Sequence, residues 1–394
     1  MEQLNFQQLH ALYDDLLRNN IIPWWFKHGI DRECGGLFNC LGDDGSIIST
    51  DKYLWSQCRA IWTFAAYYNR FENRAEFLDV ARATSDFVLK HGRDEKGWYV
   101  WKVSRGGETL EGPISVYTDF FAAYGFGELY RATKEQHYLD EALRSFRTVV
   151  KRTQALDFDG FAPYTRPEGI KWVHGIPMIA LEVAQELAEI APETDILAHI
   201  DWCLDRVMNH HRRPELKLHL EYLGPNNEVV DSPPGRCANS GHAIESMWFV
   251  IHQARRRKDT KLMQQAFEVI RWMLPFGWDE KKGGIPHCRD FKDRNGPCWW
   301  PVPDSKPWWI AGETLYALLL SYELTREQWF LDWYWKVHEW SFAHYPDREH
   351  GEWHQRLDND GNVMTKVIAL PVKDPFHLPR NVMGMLDVLK RLKD

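Results

Sequence analysis

Apolar side chains recur at helical spacing over long stretches of this chain. Two successive series predict a first helix pair: Leu54, Trp55, Cys58, Ile61, Trp62 and Ala65, then Phe77, Val80, Ala81, Ala83 and Phe87. Comparable pairs occupy residues 117–151, 175–210, 238–277 and 307–345. Amphipathic segments at 5–19 and 379–392 complete a sixth pair. The pattern therefore predicts about twelve helices.

The segments between the helix pairs are short and rich in glycine, aromatic and turn residues. They resemble small β-hairpins and lie at 35–46, 96–108, 159–169, 217–229, 283–296 and 351–363. Their spacing of roughly 60 to 70 residues marks a repeat in which each helix pair buries its face against its neighbours. Six such units can close into an (α/α)6 barrel, with an inner and an outer ring of helices and the hairpins at one end.

The same repeat also fits an open solenoid, in which the hairpins would line a long groove for a polymer or a protein. The aromatic residues of the hairpins favour closure, because a ring gathers them around one funnel that suits a small ligand. No linker rich in Pro, Ser or Gly interrupts the chain. We therefore expect an all-α, single-domain (α/α)6 barrel over residues 1–394.

Composition limits the classes of binding partner and the cellular location that we expect for the protein. The chain has a formal net charge of −8 and scattered basic residues, which argues against nucleic acid and anionic membranes as partners. Seven cysteines without a C-x-x-C pair favour reduced thiols. Neither a signal peptide nor a segment of membrane-spanning length is found, so we expect a cytoplasmic protein.

Aromatic residues make up 14% of the chain, including 20 Trp. Flat aromatic faces stack on sugar rings, and indole N–H groups can donate to hydroxyls. A large helical core accounts for these residues about equally well. Composition alone thus favours a sugar as the small-molecule ligand.

Two histidines begin helices at equivalent positions of their repeats. His242 follows Gly241 at the start of one helix, and His377 lies at the mouth of the last helix. Ring closure would bring both imidazoles to one cavity, where one can remove a proton while the other delivers one. Glu245, one turn after His242, is placed to orient that ring. A lone histidine at a helix start more often makes only local hydrogen bonds. The second histidine at an equivalent position favours a catalytic role for both.

Two charged residues interrupt otherwise apolar helix stripes. Arg59 follows Trp55 by one turn, and Glu313 follows Trp308 and Trp309 by about one turn. Arg59 either stabilises an oxyanion or enolate with its permanent charge or forms a structural ion pair with a buried acid. Glu313 either holds sugar hydroxyls or neutralises Arg59.

Other signals are weaker. His174 and Asp119 fall on two further predicted inner helices, where they would line the funnel. No Walker sequence or G-x-G-x-x-G after a strand is present. The spacing of His242 and Glu245 permits a metal site, but no firm ligand set supports one. We therefore expect a reaction that requires neither a metal nor a redox cofactor.

Five segments carry a resemblance to a known family: QCRAIWTFA, GRCANSGHAIESMWF, KPWWIAGETLYAL, GEWHQRLDNDG and PFHLPRNVM. In this order, along essentially the whole chain, they resemble the N-acylglucosamine 2-epimerase family. The resemblance implies a six-fold α/α barrel and an isomerase that inverts sugars at C2. It makes His242 and His377 the acid/base pair, puts Arg59 beside the substrate carbonyl, and makes Glu245 and Glu313 supporting carboxylates. The substrate contacts that we expect are Trp55, Asp119, His174, Met178, Trp308, Trp309 and Arg380.

The substrate follows from the branch of the family. Pro177-Met178-Ile179 is similar to the N-acylglucosamine branch and implies interconversion of N-acetyl-D-glucosamine and N-acetyl-D-mannosamine. Asp374 departs from the Gly usual in that branch, which keeps D-mannose/D-glucose epimerisation and aldose–ketose isomerisation open. The resemblance also implies ATP as an allosteric activator, although no nucleotide motif matches. We further expect a homodimer.

Two functions from other classes compete with this interpretation. A glycoside hydrolase on the same barrel would need a positioned pair of acids, for which Glu245 and Glu313 are the candidates. A non-catalytic repeat scaffold would need an exposed binding face, whereas the distinctive residues concentrate at the starts of inner helices.

Overall fold

The computed structural model describes residues 4–155, 167–364 and 373–393. Its α-helices are α1 (Phe6–Asp15), α2 (Ile22–His28), α3 (Leu54–Arg70), α4 (Ala75–His91), α5 (Tyr117–Thr133), α6 (Gln136–Gln154), α7 (Gly175–Ile190), α8 (Thr194–Asp205), α9 (Ser240–Arg257), α10 (Thr260–Gly277), α11 (Trp308–Thr325), α12 (Gln328–His344) and α13 (His377–Leu392). A π-helical segment, Leu16–Ile21, joins α1 to α2, and a second, Arg206–His211, extends α8. Counted as continuous rods, the described residues form twelve helices, as predicted.

The helices pair as the repeat predicts. Helices α3, α5, α7, α9, α11 and α13 form the inner ring, and α4, α6, α8, α10, α12 and α1 pack outside them. Inner helices are apolar on nearly every face because neighbours surround them, and every residue of α11 from Ile310 to Ser321 is buried. Outer helices such as α6 bury one face only. Despite the apolar inner ring, no helix in the described part of the chain has the length and apolarity that a membrane span requires.

The first and last inner helices meet and close the ring. The Thr63 hydroxyl of α3 donates a hydrogen bond to the Pro375 carbonyl, just ahead of α13. At the same seam, the rings of Trp62 and Phe376 lie 5.5 Å apart. A hydrophobic cluster includes residues of all six inner helices. The architecture is therefore the closed (α/α)6 barrel and not the open solenoid.

All strands of the described residues are short. They are β1 (Cys40–Leu41), β2 (Ile47–Ser49), β3 (Lys52–Tyr53), β4 (Lys102–Val103), β5 (Thr109–Glu111), β6 (Trp172–Val173), β7 (Arg212–Arg213), β8 (Leu218–His219), β9 (Tyr222–Leu223), β10 (Cys237–Ala238), β11 (Arg289–Asp290), β12 (Lys306–Pro307) and β13 (Arg356–Leu357). Every pairing among them is antiparallel.

Four of these ladders clamp the ends of helix pairs. β3–β4, β6–β9, β10–β11 and β12–β13 each join the residues just before an inner helix to a strand that follows the outer helix of the same pair. Local hairpins form at β1–β2 and β4–β5. The segments at 217–229 and 283–296, predicted as hairpins, instead pair with strands outside themselves. β8 forms a local hairpin with β7, whereas β9 and β11 pair with the strands before α7 and α9, long-range partners that turn residues do not encode. The predicted hairpin at 159–169 lies largely outside the described residues.

Gly125 allows α3 and α5 to approach closely in the inner ring. A Cβ atom added there would lie 2.4 Å from the carbonyl oxygen of Cys58, which is backbone of α3. At Gly127, on the same helix, an added Cβ would meet first the tip of the flexible Leu187 side chain, at 3.1 Å. The two glycines therefore form a matched pair for testing the packing of the ring.

Gly125→Ala is expected to lower the midpoint of thermal unfolding. Forcing apart two packed helices costs on the order of 1–3 kcal/mol, which exceeds the gain in helix propensity of about 1 kcal/mol from Gly to Ala. Gly127→Ala brings the same gain without the backbone clash, so its midpoint should match or exceed that of the unmodified protein. Thermal unfolding of the two variants is measured by circular dichroism. Equal unfolding midpoints would contradict this account of the packing.

Candidate active site

His242 lies in the first turn of α9 with part of its ring open to the funnel. The Asn239 side chain caps this helix by accepting a hydrogen bond from the His242 backbone N–H at 3.0 Å. The imidazole Nδ1 lies 3.1 Å from each carboxylate oxygen of Glu221, and the His242 side chain is 29% exposed. Burial favours the neutral ring, but the Glu221 charge outweighs it, so the pKa of His242 is raised.

His377 is the first residue of α13 and lies beside the same indole as His242. Its Nδ1 is 2.7 Å from Glu313 Oε1, and 11% of its side chain is exposed. The ring of Trp309 lies 5.3 Å from the His242 ring and 5.6 Å from the His377 ring. The fold thus brings together two histidines that are far apart in sequence, each with a carboxylate behind its Nδ1.

Glu313 is fully buried and accepts four hydrogen bonds from neighbouring inner helices. Its Oε1 accepts from His377, Arg380 and Asn381 of α13 at 2.7 to 2.9 Å. Its Oε2 accepts from the indole N–H of Trp248 of α9 at 2.8 Å. Burial alone would raise the pKa of Glu313, but Arg380 and His377 outweigh burial and lower it to about 2.

Glu245 does not contact His242 as the sequence led us to expect. Its Oε1 accepts a hydrogen bond from Arg380 Nη2 at 2.6 Å and lies 4.0 Å from His377 Nδ1. The Arg380 guanidinium lies between two carboxylates, Glu245 and Glu313, and its charge attracts both. Glu221 takes the position behind His242 that the sequence assigned to Glu245.

Arg59 is held in an aromatic enclosure and paired with an acid. Its guanidinium carbon lies 4.5 Å from the Trp55 ring, 4.0 Å from Phe121 and 4.9 Å from Phe376. Its Nη1 donates to Asp374 Oδ2 at 2.9 Å. The sequence analysis named Glu313 as the acid that could neutralise Arg59, whereas in the structure Asp374 is the acid partner. The planar cation is thus fixed in orientation from three sides.

Two expected substrate contacts are buried and engaged elsewhere. Asp119 is 1% exposed and forms an ion pair with Arg152 of α6 at 2.9 Å. His174 is 0% exposed and lies behind the site, with its Nδ1 3.7 Å from Glu221 Oε2. Neither side chain reaches the funnel surface, because other charged groups of the barrel hold them.

The other expected contacts remain near the histidines or in the inner ring. The Trp308 ring lies 6.2 Å from the ring of His377. Trp55 packs on Arg59. Arg380 and His377 both donate hydrogen bonds to Glu313 Oε1. Met178 is a buried residue of α7, 5% exposed.

Glu221 and Asp374 were not recognised from the sequence as partners of the site. Glu221 comes between two short strands, β8 and β9, where helical periodicity gives no signal. The available signal was the alternation His219-Leu220-Glu221, which places two polar side chains on one side of an extended segment. Asp374 was noticed only as a departure from a family pattern.

Two side-chain groups among the described residues bring three potential metal ligands within 4.8 Å of one another. One is His174, Glu221 and His242, and the other is Glu245, Glu313 and His377. In the second group, Arg380 already provides the positive charge that a metal would bring. The first group offers two imidazoles and one carboxylate, a donor set that suits zinc.

Residues 36–378 match the family model of N-acylglucosamine 2-epimerase (GlcNAc 2-epimerase). The chain belongs to this family. The mouse N-acylglucosamine 2-epimerase is 30% identical over 92% of this chain and 87% of its own length. The human enzyme is 29% identical over 92% of this chain and 86% of its own length. The protein is thus an isomerase of the carbohydrate epimerase type.

Solved structures of epimerases and isomerases share the barrel. Cellobiose 2-epimerase from Spirochaeta thermophila superposes with a TM-score of 0.84 at 18% identity, covering 99% of this chain and 98% of its own. A D-mannose isomerase superposes with a TM-score of 0.80, also at 18% identity. A family 76 glycoside hydrolase from Bacteroides thetaiotaomicron shares the fold more distantly, with a TM-score of 0.62 at 9% identity. The barrel alone therefore does not select the chemistry, whereas the family membership does.

The buried charge of Glu313 should make the epimerase sensitive to acid. In the unfolded chain Glu313 takes up a proton near its ordinary pKa of 4.5, whereas in the folded protein the pKa is lowered to about 2. The resulting stabilisation is fully present above pH 4.5 and is lost as the pH falls toward 2. Glu313→Gln cannot take up this proton, so its unfolding midpoint should fall less than that of the wild type between pH 5 and 3. Parallel pH curves for the two folded proteins would contradict the assignment.

Proposed function

We propose that this chain interconverts N-acetyl-D-glucosamine and N-acetyl-D-mannosamine by inverting C2. The observation that carries the proposal is the convergence of His242 and His377 on Trp309, in a chain that is 30% identical to an N-acylglucosamine 2-epimerase over 92% of its length. In each histidine, Nδ1 faces a carboxylate. Nε2 is then the nitrogen left for the substrate.

The proposed reaction begins with the open-chain sugar, whose C2–H is acidified by the C1 aldehyde. One histidine Nε2 takes the C2 proton, and the C2–H electron pair forms a C1–C2 double bond while O1 becomes negatively charged. The protonated Nε2 of the other histidine then returns a proton to the opposite face of C2, and the aldehyde reforms. Protons and electrons balance without an oxidant or a reductant.

Arg59 is the proposed partner of the developing charge on O1. Its guanidinium is held by three aromatic rings and by Asp374, so it needs little rearrangement when the charge appears. The Trp309 indole beside both histidines offers a flat face on which a sugar can stack.

Asp374 supports a second candidate, the epimerisation of D-mannose and D-glucose or an aldose–ketose isomerisation. This carboxylate adds an acceptor beside Arg59, and its Oδ1 has no hydrogen-bond partner among the described residues. A relative from Marinomonas mediterranea that carries the name D-mannose isomerase is 22% identical over 86% of this chain.

The substrate can be identified by NMR in D2O. The protein is incubated separately with N-acetylglucosamine, N-acetylmannosamine, mannose, glucose and cellobiose, and C2 epimers, ketoses and deuterium at C2 are followed. We expect epimerisation and C2 deuteration with the two N-acetylated sugars. Turnover confined to the free hexoses would favour the second candidate, and turnover of none of the five would contradict both.

His242→Asn and His377→Asn should each abolish epimerisation. Asn keeps a similar shape and some hydrogen bonding but cannot take up the proton, so inversion between the two faces of C2 is interrupted. The surviving histidine can still exchange deuterium into the one epimer whose C2–H faces it. Near-normal epimerisation by either folded variant would refute the two-histidine assignment.

Arg59→Lys should lower turnover on the order of 100-fold, because an ammonium cannot reproduce the planar, stacked cation beside O1. Arg152→Lys is the matched control, since Arg152 is also buried, pairs with an aspartate and stacks on an indole. The control should lose stability to a similar extent and keep its turnover. Equal turnover for the two variants would reassign Arg59 to structure.

A further inference from the structure

Glu221 is held rigidly next to two imidazoles. It is 4% exposed and lies between β8 and β9. The β6–β9 ladder fixes its backbone, because the Glu221 carbonyl accepts a hydrogen bond from the His174 N–H at 2.8 Å. Its carboxylate oxygens both lie 3.1 Å from His242 Nδ1, and Oε2 lies 3.7 Å from His174 Nδ1.

Three imidazoles, those of His174, His211 and His219, form the wall behind Glu221. The His174 ring lies 4.3 Å from His219 and 5.3 Å from His211. His211 Nδ1 and His219 Nε2 face backbone carbonyls at 2.8 and 3.1 Å, so each donates its single ring proton to main chain. Burial lowers the pKa of all three rings, which keeps them neutral. This wall contributes no positive charge to Glu221.

The carboxylates behind the two catalytic histidines therefore differ. The charge of Glu313 is shared among His377, Arg380 and two neutral donors. Among the described residues, the ion-pair partners of Glu221 are His242 and the neutral His174. Most of the negative charge of Glu221 is thus available to the His242 ring.

Other groups also face His242. Glu245 of the same helix and Glu313 of α11 add negative charge at longer range. His287, in the segment after α10, is kept neutral because burial holds its pKa well below the ordinary value. All the charges that act on His242 from these elements thus favour its protonated form over the neutral one.

Resting on the proposed two-histidine function, we propose that Glu221 is the positioning residue of His242, which fixes Nδ1–H toward its carboxylate and Nε2 toward the funnel and sets a negative charge beside the ring. His242 is then oriented to deliver a proton through Nε2 to the epimer whose C2–H faces His377.

The first test needs no substrate and is separate from the proposed function. The protein is labelled with 13C and 15N in histidine, and the His242 signals are assigned by their loss in His242→Asn. We expect a protonated Nδ1 at neutral pH and a pKa for His242 above that of free histidine. A neutral His242 with its proton on Nε2 would overturn the proposal, whatever the substrate proves to be.

The second test is the pH profile of kcat/KM in Glu221→Gln. For the epimer in which His242 delivers the proton, loss of the carboxylate removes what raises the pKa of His242, so the alkaline limb should move to lower pH, with a loss on the order of tenfold at pH 8. Glu141→Gln is the matched control, because Glu141 is also a buried carboxylate but lies in the Tyr99 and Arg144 contacts of an outer helix. Its alkaline limb should coincide with that of the wild type.

Two outcomes would overturn this assignment in folded Glu221→Gln. One is an unshifted alkaline limb with activity lowered equally at every pH, which would indicate a structural role only. The other is stoichiometric zinc in the purified protein that is lost on substitution, which would make Glu221 a metal ligand together with His174 and His242.

Discussion

Four hydrogen-bond donors converge on the Glu313 carboxylate, and this buried charge stabilises the candidate site. The donors come from α9 and α13, and the carboxylate comes from α11, so three inner helices are joined at one point. An unpaired charge in this position would be strongly destabilising, and the four donors compensate for its burial. The orientation of His377, the location of Arg380 and the engagement of Glu245 all follow from this single acceptor.

A second constraint acts from outside the inner ring. The short ladders join the residues before an inner helix to a strand after its outer partner, so the helix starts that form the candidate site are clamped although they lie next to loops. The β6–β9 ladder carries Glu221, and the β12–β13 ladder immediately precedes the two Trp residues that begin α11. A site formed at helix starts thereby obtains the rigidity usually associated with the middle of a secondary-structure element.

The helix pairs and the ring could be predicted because helical periodicity is local and repeats six times. The meeting of His242 and His377 at one place could be predicted because both lie at the starts of inner helices. Their partners could not, since Glu221 lies in a segment without periodicity and Asp374 pairs with a residue 315 positions earlier. Asp119 looked like a funnel residue from its helix face, yet a long arginine from the outer ring neutralises it. Pairing between distant charges is the information that a linear pattern lacks.

The contact between α3 and α13 that closes the ring also has a consequence for folding during synthesis. A chain emerging from the ribosome presents Arg59 and His242 well before Asp374 and His377 exist. Until α13 docks, the apolar flanks of its two neighbours face water, a state that favours aggregation. The proposed pair of histidines is complete only when the last inner helix closes the ring and brings His377 beside Trp309. This architecture consequently requires that the apolar flanks of the open ring be shielded during synthesis.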